Sequence, residues 1–337
     1  MNERALDDFV ARARKLRQRE LLDQAALAAL TAFRSAGVEA MLLKGPALAR
    51  RLYTGGEIRS YGDVDLLIPR RSLATAREAL SELGYANADE VYGIDDVGGA
   101  LHSEIWSRPG VRAMRSGPIM IDLHWRLDGC NAPDDVLWEA LAAGRSSTEL
   151  AGEEAPVLGD EALALHVALH AAQHGLDDTK AIGDLTRAVE RWPIDLWREA
   201  ARLAETVQAV PGFAAGLRLA PDGVLLAAEL ALPDTHELDW RIQTGESRPR
   251  GTFHVEAWRD ARGVRERANV LRRSLFPTPR WIRYYVPWAR RGPAWMVLAY
   301  AWHILRAPLW AARAGRYLAR ARRAGRAASR RRRRSSP

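Results

Sequence analysis

Two aspartates stand two residues apart in YGDVDLLI, Asp63 and Asp65, and an apolar run, Leu66, Leu67 and Ile68, follows them. In an extended strand such residues project from one face and Val64 from the other, so the two carboxylates make a single acidic patch. Like charges held close raise each other's energy unless a cation lies between them, and oxygen donors of this kind suit Mg²⁺. Taken alone, the pair equally fits a solvated strand start. A third carboxylate strengthens the metal reading. In IMIDLHWRL, Asp122 and His124 share one face, and Ile121, Leu123 and Trp125 the other. If the two strands are neighbours, Asp63, Asp65 and Asp122 can hold two divalent ions, one polarising a phosphate and one lowering the pKa of an attacking hydroxyl. Asp122 paired with a nearby arginine is the alternative.

Upstream, LLKGPAL sets a glycine and a helix start directly after a strand. Gly45 lets the backbone approach a ligand closely, and a helix N-terminus offers unpaired N–H groups to an anion. The order of residues is not that of a Walker loop, which needs two glycines and Lys-Ser/Thr. Lys44 and Arg59 are the natural triphosphate contacts near this turn, with salt bridges as their competing use. His166, His170 and His174 recur every four residues and so share one helix face, a spacing seen among metal ligands. Val167 stands where a zinc protease needs glutamate, and packing against the core or cleft is the reading taken for this face.

The elements that must position these groups follow from periodicity. Residues 3–35 read as a helix with Leu16, Leu21, Leu27 and Leu30 on its apolar side and Gly37 as its stop. A strand is expected at 38–43, a short helix at 46–53 opened by Pro46, a strand at 63–68, and a helix at 72–83 closed by Gly84. Extended segments at 102–107 and 119–127 flank RPGVRAMRSGP, which has a hairpin-loop composition. Helices are expected at 134–143, 160–175, 179–191, 195–207 and 221–230. The fold class is therefore α+β, a small mixed β-sheet with flanking helices followed by a mostly α-helical domain. The segments divide as an N-terminal helix at 1–36, a sheet-bearing domain at 37–130, an α-helical domain at 131–235, an Arg/Trp/Pro-rich region at 236–325, and a disordered basic tail at 326–337.

Charge is distributed unevenly along this order. The whole chain carries +8, and the 19 arginines from Arg267 onward are accompanied by no carboxylate, which leaves residues 1–266 at −11. An acidic body repels a long phosphate backbone, while the tail can attract an acidic partner or anionic lipid at a membrane surface. Trp281, Trp288, Trp295 and Trp302 fall seven apart, but Pro287 and Pro293 break any continuous helix, so short helices docking on the acidic body are expected. The lone Cys130 excludes an internal disulfide, and the charged start lacks a secretory core, so the cytoplasm is the expected compartment. The apolar stretch 293–305 has 13 residues, short of the ~20 a bilayer span needs.

The run MLLKGPALARRLYTGGEIRSYGDVDLLIP, followed by IDLHWRL, resembles the uncharacterised nucleotidyltransferase family within the DNA polymerase β-type superfamily. The likeness lies in a Leu-Lys-Gly strand end, an Arg shortly before an Asp-x-Asp strand, and a later Asp/Glu-x-His-Trp strand. It spans residues 35–130 and extends more loosely to ALHVALHAAQHG and LFPTPRW. The resemblance implies a polymerase β-like core with Asp63 and Asp65 as metal ligands, Asp122 as the third carboxylate, and the Gly45 turn against the nucleotide phosphates. It also implies two Mg²⁺ ions and an NTP, ATP in the first instance, as co-substrate. The usual Gly-Ser turn is here Gly45-Pro46, 18 residues before Asp63, so Lys44, Arg59 or backbone groups must bind the triphosphate. The implied activity transfers an NMP from the NTP to a small-molecule or peptide acceptor, with release of pyrophosphate and no specific nucleic acid as partner. A catalytically degenerate, nucleotide-binding regulator working through the basic Trp-rich region is the alternative.

Overall fold

The computed structural model describes residues 3–53, 57–87, 102–112, 118–176, 178–235, 251–261 and 263–335. They fall into two compact units, the first built from residues up to Asn87 and from His102 to Asp234, the second from Thr235 onward. Segments 1–36, 37–130 and 131–235 thus lie almost wholly in one unit.

A seven-stranded sheet with the order β3-β4-β5-β2-β1-β7-β6 organises the first unit. Its strands are β1 (Met41–Leu42), β2 (Val64–Leu67), β3 (Ala86–Asn87), β4 (Ser103–Arg112), β5 (Pro118–His124), β6 (Ser146–Leu150) and β7 (Glu153–Val157). The central pair β2 and β5 is parallel, and β1 lies antiparallel to β2 on its other side. Helix α1 (Glu3–Ser35) covers the sheet with Leu22, Ala26, Ala29, Leu30 and Phe33, all buried. Of the leucines expected on this side, Leu30 is buried, Leu21 and Leu27 are half-buried, and Leu16 is exposed. The first strand is shorter than the span 38–43, the first extended segment runs on to Arg112, and the second ends at His124. Part of the expected hairpin loop, 113–117, lies outside the described residues.

The β6–β7 hairpin has no counterpart in the expected order of elements. It turns at Ala151 and Gly152, both with positive φ, the backbone twist that a two-residue hairpin connection requires. Its strands are half-exposed and polar, so no apolar alternation marks them. Helices α2 (Pro46–Leu52), α3 (Leu73–Glu82), α4 (Asp134–Ala143), α5 (Asp160–His174), α6 (Thr179–Arg191), α7 (Ile194–Thr206), α8 (Val210–Leu217) and α9 (Gly223–Glu229) complete the unit. Helix α8, also unexpected, reads VPGFAAGL because it packs against α5 at close range. A Cβ at Gly216 would lie 1.9 Å from the Ala168 carbonyl oxygen, so only glycine fits there.

The second unit is helical: α10 (Thr252–Asp260), α11 (Gly263–Leu275), α12 (Pro279–Tyr285), a 3₁₀ turn at Pro287–Arg291, and α13 (Pro293–Ser335). The prolines at 287 and 293 break the tryptophan heptad as expected. Trp281, Trp288 and Trp302 pack on a core of Ile282, Val286, Ala289 and Ala299 within this unit. The segment expected as a disordered tail is helical as far as Ser335. Its alanines and arginines are among the strongest helix formers, and that propensity outweighs its charge repulsion. Among the described residues, no helix is long and apolar enough to cross a membrane.

Candidate active site

Asp65 and Asp122 face each other across the β2–β5 pair, in the same register with Val64 against Ile121 and Leu66 against Leu123. Alternation along both strands puts the two carboxylates on one face and the four apolar side chains on the other. Leu43, just past β1, donates its N–H to the Asp65 carbonyl, and the next residue, Lys44, reaches Asp65 Oδ1 with its Nζ at 2.9 Å. His124, two residues beyond Asp122, sets Nε2 at 3.0 Å from Asp122 Oδ2 and 3.3 Å from Asp65 Oδ1. Burial works to lower the His124 pKa, but Asp122 and Asp65 outweigh it and push it up to about 9. Burial likewise works to raise the Asp65 pKa, and Lys44 and His124 overcome it and hold the carboxyl well below the usual range.

The remaining oxygens, Asp65 Oδ2 and Asp122 Oδ1, are buried without a hydrogen-bond partner among the described residues. A buried carboxylate oxygen left in that state is expensive unless a cation completes it. One ligand atom from each of Asp65, Asp122 and His124 lies within 4.8 Å of the others; with His124 protonated the two carboxylates are the donors, and they suit a hard divalent ion such as Mg²⁺. Asp63 stands outside that cluster, just before β2 begins. Burial, then Asp65, raises its pKa, and Lys44 and Lys180 pull the other way. The structure therefore pairs two of the three expected carboxylates directly and keeps the third at electrostatic range.

Gly45 turns the chain into α2 with φ +62°, and its Cα faces the Tyr61 ring, where a Cβ would sit 3.6 Å away. Arg59 backs this turn. Its Nε donates to both oxygens of Asp184, at 2.8 and 3.0 Å, and one terminal nitrogen donates to the Gly45 carbonyl at 3.4 Å. Tyr53 also donates to Asp184, at 2.6 Å. Arg59 is 4% exposed and Asp184 1%, so this is a buried ion pair, and the salt-bridge use of Arg59 is the one observed. Burial lowers the Lys180 pKa and Arg59 adds to the effect, with Asp184 and Asp63 opposing it. Lys180 itself forms no salt bridge among the described residues.

Helix α5 brings its histidines into range of the same cluster. His166 is held well below its ordinary pKa by burial, then by His170 and Lys44, and His170 is lowered to about 3 by burial and Lys44. Three residues of this neighbourhood escaped the sequence reading of the site. His124 shared the face of Asp122 but was given no role. Asp184 interrupts the buried stripe Ala181, Leu185, Ala188 of α6, a carboxylate where an apolar residue belongs. Lys180 carries a compositional signal: the chain has three lysines, Lys15, Lys44 and Lys180, against 47 arginines, and two of the three border Asp63.

Among solved structures, the chain is similar to the antibiotic-resistance factor ANT(2'')-Ia, with 15% identity and a TM-score of 0.38 over 56% of this chain and 94% of that one. It is also similar to an antigenic nucleotidyltransferase-like protein from Paracoccidioides brasiliensis, with 14% identity and a TM-score of 0.35 over 57% of this chain and 92% of that one. No curated protein matches it. The model of a family described as uncharacterised nucleotidyltransferase matches residues 1–222, two thirds of the sequence and nearly all of the first unit, and the chain belongs to that nucleotidyltransferase family.

Proposed function

We propose that this nucleotidyltransferase moves an NMP from an NTP, ATP in the first instance, to a hydroxyl, phosphate or amine of a small-molecule or peptide acceptor in the cytoplasm. The observation that carries the reading is the registered pair Asp65 and Asp122 with its two unpartnered buried oxygens. Asp65 and Asp122, with Asp63 at the mouth, would hold Mg²⁺. When bound there, the metal polarises the α-phosphate and offsets charge on the departing pyrophosphate.

The chain's own residues do the positioning. An acceptor hydroxyl oxygen bonds to the α-phosphorus, the α–β phosphoanhydride bond breaks, and its electron pair leaves on pyrophosphate. Asp122 Oδ1, without a hydrogen-bond partner among the described residues, would face the ion, and the hydroxyl proton would pass to water. His124 fixes the other Asp122 oxygen, so the carboxylate keeps one orientation. Lys180, without a salt bridge among the described residues, replaces Arg59 as the triphosphate contact beside Lys44, and the Arg59–Asp184 pair holds the Gly45 turn in place. Three carboxylates here meet three cations, Lys44, Lys180 and protonated His124, so the site is neutral by itself. A divalent ion is then best accepted together with the polyanionic triphosphate.

One observation favours a nucleotide-binding regulator instead: Lys44 and His124 already satisfy one oxygen of Asp65. Calorimetry with Mg²⁺ alone and with each Mg–NTP, run beside a pyrophosphate-release assay, separates the two. Transfer predicts tight binding only for the metal–nucleotide and release with a suitable acceptor. Binding without release under any acceptor screen leaves the regulator.

A further inference from the structure

The corner between α5 and α6 holds a second group of ligand-type side chains. His170 and His174 lie one turn apart on α5, their rings edge to face at 4.4 Å between centroids. Asp178 stands four residues beyond His174, where it caps α6. One ligand atom from each of the three lies within 4.8 Å of the others.

Three details separate this corner from ordinary helix packing. Asp178 divides its carboxylate. Oδ1 accepts the backbone N–H groups of Lys180 and Ala181, both at 3.0 Å, while Oδ2 faces His174 Nδ1 at 3.7 Å. That gap exceeds a hydrogen bond and is near the ~3.4 Å that separates two ligand atoms on a tetrahedral ion with bonds of ~2.1 Å. The imidazole of His170, half-buried, makes no hydrogen bond among the described residues; its neighbours are rings, His174 on one side and His166 on the other at 5.7 Å. Among the described residues His166 Nε2 is also buried without a partner, so the ring stack is closed on its inner side by a group that does not compete for His170.

We propose that His170, His174 and Asp178 form a second metal site, distinct from the carboxylate cluster on the sheet and selective for a zinc-type divalent cation. Two imidazoles and one carboxylate with a fourth position open suit Zn²⁺ rather than Mg²⁺, which prefers an all-oxygen shell. The two backbone N–H groups on Asp178 Oδ1 orient the carboxylate so that Oδ2 is presented to the ion, the role outer hydrogen bonds play around metal ligands. The site ties the end of α5 to the start of α6. Helix α6 also carries Lys180 and Asp184, so the ion fixes the helix that supports the Gly45 turn.

The test is titration of the full-length, chelator-treated protein with Co²⁺, followed by its visible absorption, then displacement by Zn²⁺. The expected result is one equivalent of tightly bound Co²⁺ with tetrahedral absorption, displaced by one equivalent of Zn²⁺. His174→Ala, an exposed position, and Asp178→Asn, which keeps the helix cap, should each weaken binding by about tenfold or more. Asp65→Asn and Asp122→Asn should leave the Co²⁺ titration unchanged, which separates this site from the proposed nucleotide site whether or not that site turns over. Zn²⁺ should also raise the thermal midpoint of the wild type and not of His174→Ala. Failure to bind one equivalent, unchanged binding in His174→Ala, or loss of binding in Asp65→Asn would each overturn the proposal.

Discussion

The sheet cluster offers two carboxylates and one imidazole, and the helix corner two imidazoles and one carboxylate. The first lies on registered strands in the interior, where Asp65 is 1% exposed, and the second where two helices meet near solvent. On the proposed reading, donor chemistry would sort the ions: oxygen-rich for a hard cation that arrives with a phosphate, nitrogen-rich for one that stays. Charge differs too. His124 is protonated because two aspartates face it, whereas His170 is neutral because burial and Lys44 disfavour its charge. On the proposed reading, histidine is a cation on the sheet and a ligand on the helix.

The sharpest break of this comparison is a carboxylate deletion. Asp65→Asn or Asp122→Asn should lower kcat/KM for NMP transfer by about 10³-fold, ~4 kcal/mol of transition-state stabilisation, measured as pyrophosphate release. Zinc content should not change. Retained turnover in both variants would remove the sheet cluster from the chemistry.

Asp184→Ala strikes the helix that links the two clusters. It leaves Arg59 buried without its partner, and the unfolding free energy from urea melts should fall by ~3 kcal/mol. An Arg59→Met/Asp184→Leu double variant should recover most of that loss, since an apolar pair of similar size leaves no buried charge behind. A smaller effect belongs to Lys180→Ala, which should raise KM for the NTP about tenfold with kcat little changed, the pattern of a ground-state phosphate contact.

How much of this was legible in the sequence depends on the kind of signal. Period-2 alternation put Asp65 and Asp122 on one strand face each, and the pairing of β2 with β5 needed only that the strands be neighbours. Asp63 lies just before β2, which starts at Val64, so strand alternation alone does not fix where it stands relative to Asp65 and Asp122. Long amphipathic helices such as α6 were plain. Helix α8 and the β6–β7 hairpin were not, because Pro and Gly occupy the first for close packing and the second buries few side chains in alternation. Arg59 looked like a phosphate ligand because its partner is 125 residues away on α6. Tertiary pairing of that kind leaves no local trace beyond one aspartate on an apolar helix face.

A pH dependence resolves the two histidine types in the metal-free protein. His124 titrates at about 9 when folded, so between its unfolded pKa of ~6.5 and 9 the folded state holds the extra proton, and stability falls as pH rises through that window. His170 titrates at about 3 when folded, so below ~6.5 the unfolded state binds the extra proton, and stability falls as pH drops. Denaturant midpoints across pH 4–9 should flatten on the alkaline side in His124→Gln and on the acid side in His170→Gln.

The central claim is that Asp65 and Asp122 grip a divalent ion together with a nucleoside triphosphate. Anomalous diffraction from crystals grown with Mn²⁺ and a non-hydrolysable ATP analogue tests it at the atoms concerned. The account predicts a manganese peak between the two carboxylates, within bonding distance of Asp65 Oδ2 and Asp122 Oδ1, with the triphosphate beside Lys180. Bound nucleotide with no manganese at that position, and Lys44 and His124 still holding Asp65 as they do now, would contradict it.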